Sequence, residues 1–202
     1  RDDVESRGLG DVYKRQAQER GSTACDLLYA ATKEEYTYSP ENEPHISLNF
    51  THRLAKVILK FVNMEKEPLE VSDVRIEGMQ TAASFNIQTD VLTVDESSVA
   101  TINPYHNATT GFYEAIILPS ALTDSYKVSF VLDDREKEWI FTNLDIALPQ
   151  FHKGYSYTFA LYIDDSGFVE MGRLENVEGG NSSAPWEDGS SEDGTAEGDK
   201  TP

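Results

Sequence analysis

Alternation with a period of two, sustained from Asp26 to about Leu174, most limits what this chain can fold into. Successive side chains of an extended strand point to opposite faces, whereas a helix repeats every 3.6 residues. In KVILKFV, Val57, Leu59 and Phe61 fall on one face and Lys56 and Lys60 on the other. In YKVSFVL, Tyr126, Val128, Phe130 and Leu132 alternate with Lys127, Ser129 and Val131. In YSYTFALYI, Tyr155, Tyr157, Phe159, Leu161 and Ile163 share a face, opposite the small Ser156, Thr158 and Ala160 and the larger Tyr162. Both faces of that segment can pack, which predicts a central strand with those five residues turned to the core. Weaker strand patterns occur in VSDVRIEGM, SFNIQT, VATI, YEAIIL, EWIFTN and FVEMGRL.

The breaks between these runs carry turn chemistry. MEKEP stops a strand near Pro68, NPYHNATTG reads as a long polar loop, and LDDREKEW reverses the chain at Asp133 to Lys137. IDDSGFV reads as a tight hairpin in which Gly167 takes a positive φ. No stretch forms a convincing amphipathic helix, and SPENEPH is too rich in proline for one. Many short strands at this spacing predict an all-β fold, an antiparallel β-sandwich whose core takes alternate side chains from two sheets. A chain of 202 residues is long enough for one such core, or at most two small ones.

The two ends differ from the middle. After Leu174 the chain is rich in Gly, Ser and acids and almost without apolar residues. Such a segment buries too little surface to offset its ordering entropy, so 175–202 is expected to be disordered, with Trp186 either a peg into the domain or a contact for something else. Arg1 to Gln16 shows neither a strand period nor an apolar helical face, and GLGDVYKRQ resembles translated adaptor read-through at the end of a gene fragment. The expected division is a non-native or disordered segment at 1–24, the sandwich at 25–174 and the acidic tail at 175–202.

The net charge of −19, from 36 acidic and 17 basic residues, repels phosphate backbones and anionic membranes, so nucleic acid is not an expected partner. The single cysteine, Cys25, excludes an intrachain disulfide and a cysteine zinc cluster. Ala24 before Cys25 hints at a lipoprotein cleavage site, but the upstream DVYKRQAQERGST is polar, which favours a partly buried free thiol. No run reaches transmembrane length.

The four histidines, His45, His52, His106 and His152, show no metal-ligand spacing. His52 beside Arg53 is open to two readings: a general base, or a strand-junction residue bonded to the backbone. No GxSxG supplies a nucleophile, and nothing near Cys25 activates it. IDDSGF and LDD offer oxygen ligands without an EF-hand loop, and no glycine loop cradles a phosphate. Asn49, Asn107 and Asn181 head N-x-[ST] triplets, relevant only in a eukaryotic secretory pathway. The tyrosines suit core and core rim. The alternative is a sugar-stacking platform of Tyr155 and Tyr157 with Tyr105 or Tyr113. No catalytic, cofactor-binding or metal residue is assigned, and no cofactor is expected.

Several segments, in order, resemble the fimbrillin-like family of bacterial surface proteins. DLLYA (Asp26 to Ala30) is followed by ISLNFTHRLAKVILKF, in which Phe50, His52, Leu54, Ala55, Lys56 and Val57 match the family's F-x-H-x-(L/M)-(A/S)-K-(V/I) pattern. YEAIILPSAL is similar to its A-I-(I/L)-P-Q segment, with Ser120 in place of glutamine, and FHKGYSYTFAL to its F-x-x-G-x-x-Y-x-(Y/F) strand. APWEDGSSEDG is similar to its C-terminal tryptophan-glycine ending. The resemblance covers Asp26 to Gly189. It implies a transthyretin-like or immunoglobulin-like sandwich and a non-enzymatic pilus subunit, accessory subunit or tip adhesin at the cell surface and outer membrane. It also implies partners joined by β-strand addition, or ligands on host or bacterial surfaces. In that family DLLYA opens a second domain, which implies a preceding domain and a lipid anchor upstream of this sequence. His52 is then a structural junction residue. The acidic tail lacks the alternating apolar residues of a donor strand, which favours an accessory or tip subunit, or a fimbrillin-like lipoprotein that does not polymerise. The alternatives are a surface glycan-binding sandwich and an enzyme with a scattered site.

Overall fold

The computed structural model describes residues 11–13, 26–31, 48–64, 69–144, 148–164 and 169–179. Among these the regular structure is strand throughout. The strands are β1 (Asp11–Tyr13), β2 (Leu28–Tyr29), β3 (Thr51–His52), β4 (Ala55–Asn63), β5 (Val71–Glu77), β6 (Ala83–Asn86), β7 (Val91–Val94) and β8 (Tyr105–Asn107). They continue as β9 (Phe112–Ile117), β10 (Ser120–Ala121), β11 (Lys127–Leu132), β12 (Arg135–Ile140), β13 (Gln150–Phe151), β14 (Tyr155–Ile163) and β15 (Val169–Gly179).

Two sheets make the sandwich: five strands in the order β15-β14-β4-β9-β8 and three in the order β12-β11-β5. Their facing sides share one apolar core. Val57 and Leu59 of β4, Ala115 and Ile117 of β9, and Tyr157, Phe159, Leu161 and Ile163 of β14 meet Ile76 of β5, Val128, Phe130 and Leu132 of β11 and Trp139 of β12. All are buried, as the alternation predicts. β14 is an interior strand, flanked by β15 on one side and β4 on the other. The β14–β4 pair is parallel, while every other pair of named strands is antiparallel. Alternation says which side chains turn inward, but not which strand lies alongside or in which direction.

A second, smaller apolar cluster lies on the other face of the five-stranded sheet. Ile116 points there, opposite to its neighbours Ala115 and Ile117, and packs with Leu54, Leu118 and Ala83, bordered by Leu27, Leu92 and Val94. The β6–β7 hairpin therefore covers that end of the sheet, and the β2–β3 ribbon is tied to it from the side.

A tight turn and a close glycine contact shape the sandwich. Asp133 and Asp134, both at positive φ (50° and 57°), form the two-residue turn between Leu132 and Arg135. Such a turn matches the twist of the flanking strands, and aspartate tolerates the left-handed region. At Gly172 an added Cβ would stand 2.0 Å from the Trp139 ring, so the missing side chain lets tryptophan close the sandwich between β12 and β15.

Several segments depart from the sequence expectations. Asp11–Tyr13, within the stretch set aside as non-native, pairs with Ala83–Phe85 of β6. The chain beyond Leu174 does not leave the domain at once, because β15 runs to Gly179 opposite Tyr155. Main-chain hydrogen bonds to β14 hold this polar segment where its side chains give no apolar signal. NPYHNATTG is a hairpin joining β8 to β9 rather than a long loop. The Asn107 side-chain Oδ1 accepts from the Thr109 and Thr110 amides, at 3.0 and 3.3 Å, and so forms the turn. VATI forms isolated bridges, Val99 with Gln80 and Ile102 with Ile76, rather than a strand. Cys25, His45, Pro68, Gly167, Asn181 and Trp186 lie outside the described residues.

Candidate interaction surfaces

The junction at His52-Arg53 is a knot of ion pairs. His52 ends β3, and its Nδ1 lies 2.5 Å from Asp26 Oδ2, with both side chains largely buried. Its partner in this pair is a carboxylate, from Asp26 just ahead of β2. Leu28 stands directly across from His52, and Asp26 two residues earlier lies on the same face, within reach of the ring. Arg53 turns to the other side. Its guanidinium forks onto Asp90, with Nε 2.6 Å from Oδ1 and Nη2 donating to Oδ2 at 2.9 Å, and lies over the Tyr29 ring at 4.9 Å. Tyr29 also packs edge-on against Phe85 and donates its hydroxyl to the Ile87 carbonyl. Lys153 approaches Asp90 at 3.7 Å. The knot thus joins the β2–β3 ribbon, the β6–β7 turn and the loop before β14.

The other histidines are likewise scattered. His106 stacks on Tyr113, and His152 bonds the Gln150 side chain. Among the described residues no three His, Cys, Asp or Glu side chains gather to hold a metal ion.

Lys56, placed by alternation on the face opposite Val57 and Leu59, is only 4 % exposed. The β6–β7 hairpin crosses the outer face of the five-stranded sheet nearby, which turns an outward residue into a buried one. Its Nζ pairs at 2.9 Å with Glu114 Oε2, and Asn107 Nδ2 donates to the other carboxylate oxygen at 3.0 Å. The remaining outward face, on the three-stranded sheet, is a ladder of exposed ions. Arg75 bridges Glu136, and Lys127 bridges Glu138 at 2.8 Å and Glu77 at 3.5 Å. The Glu138 carboxylate raises the Lys127 pKa above its ordinary value.

The tyrosines do not build a sugar platform at Tyr155 and Tyr157. Tyr157 is 1 % exposed, and its hydroxyl accepts the His152 amide. Tyr155 is half-buried against the same core. Tyr113 also turns inward, donating to the Val71 carbonyl at 2.8 Å, and burial raises the pKa of both Tyr113 and Tyr157. Tyr105 alone of the four faces out, on the short edge strand β8.

With the sheet faces packed or charged, the strand edges remain. The β6 edge takes up β1 in antiparallel register, Asp11 opposite Phe85, Val12 opposite Ser84 and Tyr13 opposite Ala83. β1 comes from a segment distant in sequence and spans three residues.

The family model described as fimbrillin-like matches residues 4–186. The chain belongs to the fimbrillin-like family. Its fold is also that of two crystal structures. One, of a candidate cell adhesion protein from Bacteroides uniformis, has a TM-score of 0.70 at 22 % identity, over 88 % of this chain and 69 % of that one. The other, of a candidate cell adhesion protein from Bacteroides ovatus, has a TM-score of 0.52 at 16 % identity, over 66 % of this chain and 48 % of that one. No curated protein matches the sequence. The fimbrillin-like match begins ahead of Asp26, where the sequence resemblance starts, and takes in β1. The motif residues of this fimbrillin-like chain now have physical roles: His52 pairs with Asp26, Lys56 with Glu114, and Leu54 and Val57 fill the two apolar clusters.

Proposed function

We propose that this chain is a non-enzymatic subunit or adhesin of a bacterial surface fimbrium, joined to other subunits by β-strand addition. The fimbrillin-like match over residues 4–186 carries this reading. The packing supports it: large aromatics fill the core, and His52, His106 and His152 pair with Asp26, Tyr113 and Gln150, so among the described residues strand edges and loops are the surfaces open to a partner. Strand addition supplies affinity through main-chain hydrogen bonds, with alternate side chains setting register. The β6 edge is the acceptor we favour, because the three residues of β1 already pair there. Partners are other subunits, or ligands on host or bacterial surfaces. Membrane attachment in this reading runs through a lipid anchor outside the sequence, which places the subunit at the outer membrane. The test uses antibodies raised against the purified chain on intact cells that express it. Labelled surface filaments, and recovery of the chain in the sheared filament fraction, are expected. Recovery only in the soluble fraction after lysis, with unlabelled cells, would overturn the reading.

A further inference from the structure

We draw no further inference here: the strongest candidate, the outward face of the β2–β3 ribbon where Leu28, Leu48 and Phe50 stand about half exposed, carries none because nothing in the structure shows what covers it.

Discussion

Replacing Lys56 with methionine removes one half of an ion pair held almost wholly out of water. Lys56 and Glu114 are 4 % and 8 % exposed and 2.9 Å apart. Methionine nearly matches the lysine stem in shape, so the main change is a carboxylate left buried beside the Asn107 amide, without its cation. Breaking a buried pair from one side costs about 3–5 kcal/mol, because the surviving charge loses its compensation. Against a typical domain stability of about 5–15 kcal/mol, that is a large fraction. The double variant Lys56→Met, Glu114→Leu removes both charges, and should recover most of the loss, short of about 1 kcal/mol for the Asn107 hydrogen bond. Equilibrium urea unfolding of the parent, both single variants and the double variant gives the coupling directly. The exposed Lys127–Glu138 pair is the control, and Lys127→Met should leave the unfolding midpoint almost unmoved. A loss of under about 1 kcal/mol for Lys56→Met, the range of exposed pairs, refutes the argument that this pair is desolvated.

His52→Ala should lower stability by about 1 kcal/mol, one hydrogen bond's worth, and the same urea titration reads it; an unchanged midpoint would show that the Asp26 contact contributes nothing. Gly172→Ala drives a methyl group into the Trp139 ring and should cost about 1–3 kcal/mol, with a weakened near-ultraviolet dichroism of the aromatic core. Removing residues 190–202, which contain no large apolar side chain, should leave the Tm unchanged. Removing 175–202 also strips the end of β15 from its pairing with Tyr155 to Thr158, and should lower the Tm by several degrees. Because burial raises the pKa of Tyr113 and Tyr157 in the folded state, the unfolded chain loses those protons first. Stability should therefore be intact below about pH 10, the ordinary tyrosine pKa, and fall as pH rises above it. Unfolding midpoints on either side of that pH, with phenolate absorbance, check the direction.

The inward faces were legible because burial on one side leaves a period of two in the residues themselves. Val57 and Leu59, Val128 and Phe130, and Phe159 and Leu161 are core by that signal alone. The parallel pairing of β14 with β4 leaves no such mark, since either direction buries the same alternating set. The burial of Lys56 was hidden for a related reason. Alternation puts it on the far side of the sheet, and only the β6–β7 hairpin lying there makes that side interior. The end of β15 was hidden because its polar residues are held by main-chain bonds, which any side chain permits. At the junction, F-x-H-x-(L/M)-(A/S)-K-(V/I) marked the right residues without their partners. Asp26 and Asp90 lie 26 and 37 positions from His52 and Arg53, and only folding brings them into contact.

Backbone amide exchange, measured on the free chain and on the chain within isolated filaments, tests the proposed assembly most directly. Strand addition predicts that outward amides of one edge strand become slow to exchange in the filament. β6 should change first, since among the described residues its outer edge pairs only with the three residues of β1 in the free chain. Filaments in which every edge strand exchanges as it does in the free chain, with new protection confined to loops, would contradict the account.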